Sequence, residues 1–193
     1  MNFDFSIPIP NGSDLTLREF RLLAELMVNN KLDKYLEVGV WHGINLLKLA
    51  NLCEVNNHQC KIVGYDCFDD DPMDDNSHTS GWPSKELVER NVSPYSDTVS
   101  LVQGFAKDVV EKLDGEKFPL IFHDANHAYQ AVYDDLLLLK QLSLPSTVIV
   151  AHNSEADDAR LNYGAKSAID QLVKENHFKI LTRVDRSTAI IPC

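Results

Sequence analysis

"LIFHDANHAYQAVYDDLLLL", residues 120–139, carries the decision about the fold. An apolar run, Leu120-Ile121-Phe122, stops at a polar knot of His123, Asp124, Asn126 and His127, and an apolar helical run follows. A short, continuously apolar run suits a strand covered on both faces, as in a parallel sheet. A strand of that kind leading straight into a helix is part of a β-α-β unit. The polar knot then lies just past the carboxyl end of a strand, where open α/β sheets bind their ligands. Metal ligands, a proton relay and an ordinary polar loop are all compatible with these residue types.

The alternation extends in both directions. "KYLEVGV" (34–40), "KIVGYD" (61–66), "TVSLVQG" (98–104), "FPLIFHD" (118–124) and "STVIVAH" (146–152) read as strands. Helical periodicity covers 14–30, with Ser13 as its cap, and then 44–55, 84–92, 105–114, 128–142 and 163–176. "FKILTRV" and "STAIIPC" read as a closing strand pair with a turn near Asp185-Arg186. The expected fold is α/β: a Rossmann-like, doubly wound, mostly parallel seven-stranded sheet with a C-terminal antiparallel hairpin strand. No repeat, low-complexity tract or linker interrupts it, so residues 1–193 read as one domain. Residues 1–33 form an N-terminal arm and helix, and 67–83 form either a lid over the site or a solvated loop.

Composition narrows the function. The 193 residues suffice for one substantial core. A net charge of −11 repels phosphate backbones and anionic lipid, so neither nucleic acid nor a membrane surface is an expected partner. No apolar run reaches membrane-spanning length, and the first residues lack the pattern of a signal peptide. The four cysteines, Cys53, Cys60, Cys67 and Cys193, form no Cys-x-x-Cys pair. That argues against a zinc site or a disulfide framework and for reduced thiols in the cytoplasm.

Polar residues collect at one rim of the expected sheet. His42 follows the first strand, Asp66 ends the second, Gly104 follows the third, and His152-Asn153 end the fifth. In "LEVGVWHG", Gly39 and Gly43 mark the first strand-to-helix turn. A dinucleotide fingerprint would place a glycine where Trp41 stands, which argues against a pyrophosphate ligand. Glu37, Gly39 and Gly43 instead suit the charged amino acid end of a ligand, and Asp66 suits the two hydroxyls of a ribose. An adenosine with a non-phosphate tail is S-adenosylmethionine. Trp41 either lines that pocket or packs the turn.

With "YDCFDDDPMDDNSH", "FHDANHAYQAVYDDL" and "AHN" in place, the chain resembles the class I S-adenosylmethionine-dependent methyltransferases. More narrowly, it is similar to the small-molecule O-methyltransferases of the methyltransferase 24 family, from about Tyr35 to Ile191. The resemblance implies that Glu37, Gly39 and Gly43 hold the methionine part of the cofactor and Asp66 the ribose. It places Gly104 and Phe105 at the adenine, with Cys67, Phe68 and Asp124 also facing the cofactor. Asp124, His127, Tyr129, Val132 and Asp135 match the family's second signature, whereas Phe122 and Ala125 stand where the family has His and Gly. Relatives bind magnesium through acids after the fourth and fifth strands. Here those places offer Asp124 and His152-Asn153, and Asn126 stands where some relatives have Asp.

The expected reaction is methyl transfer to a small-molecule acceptor, at a hydroxyl of a sugar or secondary metabolite. Three roles are open for the polar knot. His127, with Asp124, serves as the base that takes the hydroxyl proton. Alternatively Asp124, His152 and Asn153 hold Mg²⁺ or another divalent metal. In the third, His127 caps the helix that follows while Asp124 bonds backbone amides. Two rival functions remain beside methyl transfer: a binding protein for the cofactor that has lost catalysis, and an enzyme using it for other chemistry. Trp82 is a candidate substrate contact, Asp134 a solvated residue, and a homo-oligomer is compatible with the surface.

Overall fold

The strand runs are apolar throughout because both faces of the sheet are covered, and side-chain alternation sorts each run between the faces. The computed structural model describes residues 15–68 and 83–193. Its strands are β1 (Lys34–Val38), β2 (Lys61–Asp66), β3 (Val99–Gln103), β4 (Phe118–His123), β5 (Ser143–Ala151), β6 (Phe178–Val184) and β7 (Ser187–Pro192). The helices are α1 (Leu17–Asn29), α2 (Ile44–Val55), α3 (Lys85–Val92), α4 (Val109–Lys112), α5 (Tyr129–Gln141) and α6 (Ala165–Lys174). Leu36, Val38 and Ile121 point to one face and pack with Val132, Leu136 and Leu139 of α5 and Ile169 and Leu172 of α6. Tyr35, Leu120 and Phe122 point to the other and pack with Leu23 and Met27 of α1, Leu46 and Leu49 of α2, and Val88 of α3.

The seven strands form one sheet in the order β3-β2-β1-β4-β5-β7-β6. β1 pairs in parallel with both β2 and β4. β7 is antiparallel to β5 and β6, giving the expected closing hairpin. The chain winds outward from β1 to β3, then returns to lay β4 on the other side of β1. Strand order therefore reverses between β1 and β4, and the crevice beyond their carboxyl ends is where a ligand fits.

Three local readings change. Ser13 lies outside the described residues, and the observed N-cap of α1 is Thr16. Its hydroxyl accepts from the Glu19 amide while the Glu19 carboxylate accepts from the Thr16 amide, a complete capping box. The helix expected over 105–114 is instead a 3₁₀ turn at Ala106–Asp108 followed by the single turn of α4. No side chain caps either piece, and Asp114 and Gly115 leave the helix with positive φ. β5 starts at Ser143, before Pro145, through an irregular stretch opposite Phe118 and Leu120. There the Thr147 hydroxyl donates to the Phe118 carbonyl (2.6 Å) and accepts from the Leu144 amide (2.7 Å), standing in for ladder bonds. Most of the segment read as a lid, 69–82, and Trp82 with it, lies outside the described residues.

Candidate active site

The glycine turn after β1 is built by close approach. Gly39 has φ +88°, and a Cβ there would stand 2.6 Å from the Ala125 nitrogen and nearer still to the Asp124 carbonyl. The ends of β1 and β4 thus touch backbone to backbone, with the Asp124 amide donating to the Val38 carbonyl at 2.8 Å. Gly43, φ +76°, opens α2 against Val88 and Val92. Between them Trp41 is held at φ +50°, uncommon for a bulky residue, and its ring meets His42 edge-on at 5.2 Å. Phe68 after β2 and Asn153 after β5 also have positive φ.

Asp66 holds the turn in shape. Its Oδ2 accepts from the amides of Val40 (2.6 Å) and Trp41 (3.0 Å), and its Oδ1 accepts from the Phe68 amide (3.0 Å) and the Cys67 thiol (3.5 Å). The residue expected to meet a ribose is thus also the clamp between the β1 and β2 loops. Asp66→Ala should weaken binding of S-adenosylhomocysteine by about 1–3 kcal/mol, since charge-assisted hydrogen bonds are lost. A calorimetric titration checks it, and unchanged affinity would assign Asp66 to the turn alone. Gly104 and Phe105 follow β3 beside Asp66 and Tyr65. The Gly104 amide donates to the Asp66 carbonyl at 2.9 Å, and the Tyr65 hydroxyl donates to the Phe105 carbonyl at 2.9 Å.

Glu37 is fully buried on β1. Burial pushes its carboxyl up to about 8. Hydrogen bonds from Tyr35, at 2.8 Å, and from Asn45 oppose the rise, while the nearby carboxyls of Asp124 and Asp66 add to it. The same burial, with Glu37 beside it, raises the Tyr35 hydroxyl well above its ordinary range.

The polar knot divides into two pairs. His123 is buried, and its Nε2 lies 2.9 Å from Asp135 Oδ2, tying the end of β4 to α5. His127 turns to Asp124 instead. Asp124 Oδ1 receives His127 Nε2 at 3.2 Å and His152 Nδ1 at 2.8 Å. Burial works against ionisation of Asp124, but the hydrogen bonds from the two imidazoles outweigh it and hold the carboxyl below its ordinary range. An ionised carboxylate only accepts, so His127 carries its proton on Nε2 and leaves Nδ1 as the basic nitrogen. The His127 ring packs on Tyr163 with centroids 4.8 Å apart, and the Asn153 amide lies 3.4 Å from Nε2. His127 does not cap α5. Ala128 is the N-cap with no side-chain cap bond, and Asn126 Oδ1 accepts from the Ala128 amide at 2.8 Å. Asn126 is therefore part of the turn into α5.

Asp124, His127 and His152 bring three ligand atoms within 4.8 Å of one another. One carboxylate oxygen and two imidazole nitrogens do not fit Mg²⁺, which takes oxygen ligands, but suit a borderline transition ion. Asn153, expected among the ligands, lies against His127 Nε2 at 3.4 Å.

Glu19 is the site neighbour that sequence reasoning missed. Though 1% exposed, it lies on α1, remote in sequence from the strand ends. Its Oε1 accepts from the Arg186 amide (3.0 Å) and the Ser187 hydroxyl (2.9 Å), and stands 3.7 Å from His152 Nε2. That nitrogen is buried and makes no hydrogen bond among the described residues. The capping-box spacing Thr16-x-x-Glu19 was the available signal, but it points to a helix start and not to a site. Glu19→Ala should cost about 2–4 kcal/mol in urea unfolding, because it leaves the Arg186 amide and the Ser187 hydroxyl without a buried acceptor and breaks the cap.

A crevice at the strand-order reversal, a glycine turn without a pyrophosphate glycine, and an acid ending β2 define a class I methyltransferase. The family model for a methyltransferase domain, methyltransferase 24, matches residues 36–154, more than half of the chain, and the chain belongs to that family. It is an S-adenosylmethionine-dependent methyltransferase. No curated protein matches significantly. Among solved structures, the fold is similar to that of cofactor-bound Rv0187 from MTB (TM-score 0.68, 20% identity, covering 95% of this chain and 83% of that one). It is also similar to an O-methyltransferase from Bacillus cereus in complex with SAH (0.67, 18%, 95% and 84%). A third is the O-methyltransferase TomG from Streptomyces achromogenes, involved in tomaymycin synthesis, in complex with SAM (0.66, 17%, 93% and 82%).

The residues fit the cofactor of this class. Glu37 feels the carboxyls of Asp124 and Asp66 at the end of β1, and a ligand ammonium placed there would relieve that repulsion.

Proposed function

We propose that the protein methylates a hydroxyl of a small molecule, of the sugar or secondary-metabolite kind, with His127 as the base. The observation that carries this reading is the Asp124–His127 pair at the carboxyl end of β4. S-adenosylmethionine, when bound, supplies a methyl group on a sulfonium that is open to in-line attack. Glu37, Gly39 and Gly43 would hold its amino acid end and Asp66 its ribose. Trp41, Cys67, Phe68, Gly104 and Phe105 would enclose the remainder, with Asp124 at the boundary with the acceptor. The bond between Nε2–H and Asp124 orients the imidazole, so Nδ1 accepts the hydroxyl proton as the acceptor oxygen attacks. Asp124 then sits beside the imidazolium that forms. O-methyltransferases stand among the similar structures, which supports the choice of oxygen. Among the described residues no helix is long and apolar enough to cross a membrane.

A second reading rests on the ligand cluster itself. Asp124, His127 and His152 would hold a transition ion, which would acidify the acceptor hydroxyl as a Lewis acid. Transfer of a labelled methyl group to a panel of hydroxylated acceptors tests both readings, run with EDTA and with added metal. Product in EDTA supports His127 as base, product only with metal supports the second, and no product with any acceptor counts against oxygen methylation of small molecules.

Glu37 gives a pH signature. Its raised carboxyl is protonated in the folded protein between its ordinary range and about 8. The folded state then binds more protons than the unfolded, so this group's contribution to stability falls as pH rises through that window. A ligand ammonium beside Glu37 favours the ionised form, so binding releases a proton there and affinity climbs with pH up to about 8. Calorimetry in buffers of different ionisation enthalpy reads the proton release. Glu37→Gln should abolish it, and an unchanged release would remove Glu37 from the cofactor site.

A further inference from the structure

On the face of the molecule away from the strand carboxyl ends, the exit of α2 gathers Cys53, His58 and Cys60, each offering a ligand atom within 4.8 Å of the others. The sequence has no Cys-x-x-Cys spacing here, and the cluster is made by the turn. Asn56 is the C-cap of α2, and Asn57 takes positive φ. The His58 amide donates to the Cys53 carbonyl (2.8 Å) and the Asn57 amide to the Glu54 carbonyl (2.9 Å). Those two bonds are a Schellman motif, which lays the second residue after the cap against the helix's last turn. An apolar pair commonly fills those two places, and here they hold a histidine and a cysteine. Two residues on, Cys60 leads into β2, with its thiol hydrogen-bonded to that of Cys53.

The histidine is already oriented. His58 Nε2 lies 2.7 Å from the Leu32 carbonyl, and a carbonyl only accepts, so Nε2 bears the proton and Nδ1 keeps a free lone pair. A histidine fixed by its second nitrogen on a backbone carbonyl is the arrangement metal-binding histidines adopt. A tetrahedral zinc ion, with bonds near 2.3 Å, separates its ligand atoms by roughly 3.8 Å. The cluster's span accommodates that spacing.

We propose that Cys53, His58 Nδ1 and Cys60 form a zinc site, separate from the methyl-transfer site, with solvent as the fourth ligand. Binding releases both thiol protons to solvent, and the two thiolates and one neutral imidazole carry the metal. The site joins the end of α2 to the start of β2, so the metal fastens the helix that opens at Gly43 to the strand that ends at Asp66.

Cobalt(II) is the probe, added to the reduced full-length protein. Thiolate-to-cobalt charge-transfer absorption reports sulfur ligation, which the Asp124–His127–His152 group cannot produce. The expected result is one equivalent of cobalt with that absorption, displaced by zinc and retained in His127→Ala. Cys60→Ser, at a partly exposed position, should cut the absorption to half or less and weaken binding, and His58→Ala should weaken binding roughly tenfold or more. Absence of the absorption at saturating cobalt, or an undiminished absorption and affinity in Cys60→Ser, would overturn the proposal.

Discussion

Gly39→Ala should lose about 3–5 kcal/mol of stability and with it all measurable binding of S-adenosylhomocysteine. The added methyl would overlap the backbone of Asp124 and Ala125, and neither strand end can yield without breaking the bond between the Asp124 amide and Val38. The left-handed φ of +88° adds about 1–2 kcal/mol for a residue with a Cβ. In a chain of this size the melting temperature should fall by roughly 10 °C. Gly115→Ala is the control. It shares the left-handed backbone, at φ +65°, but a Cβ there meets nothing within 4 Å. Only the conformational cost of about 1–2 kcal/mol is expected from it, with cofactor binding intact. Equal losses from the two substitutions would mean that the crossing of β1 and β4 is not what requires glycine.

His127→Ala should lower kcat by roughly 10²–10⁴-fold with little change in affinity for S-adenosylhomocysteine, the expectation for a lost general base. The imidazole is not part of a helix cap, so the stability lost should be that of its contact with Tyr163 and its hydrogen bond to Asp124. Asp124→Asn should share part of the loss, since an amide no longer fixes the Nε2–H tautomer. A stable variant with unchanged turnover would take the base role from His127 and leave metal activation as the better reading.

The fold was legible because its signals are local and agree. The apolar runs of β4 and β5, the helical period of α2 and the closing pair around Asp185-Arg186 each specify one element, and their alternation leaves one architecture. Where local signals were thin the reading slipped. Residues 105–114 have helical composition but no capping side chain, and the chain makes one turn of α-helix there. β5 reaches back past Pro145 because Thr147 supplies bonds that no sequence pattern announces.

The site was legible to the level of position. Asp66, Gly39, Asp124 and His127 all lie on the crevice rim as expected from their places after strands. Their partners were not legible, because they come from distant parts of the chain. His123 and His127 look alike in sequence, and only the packing of α5 gives the first to Asp135 and the second to Asp124. Glu19 reaches His152 across 133 positions through the docking of α1 on the β6–β7 turn. Cys53, His58 and Cys60 escape a spacing rule because a helix-ending turn, and not a metal-knuckle motif, brings them together.

The most direct measurement is calorimetry of the purified protein with S-adenosylhomocysteine, in EDTA and again with divalent metal. Micromolar binding in both conditions, with a proton release that is present below about pH 8, falls away above it and is absent in Glu37→Gln, is the result expected from a cofactor held at the β1–β4 crevice. No binding in either condition would contradict it and return Gly39, Gly43 and Asp66 to purely structural roles.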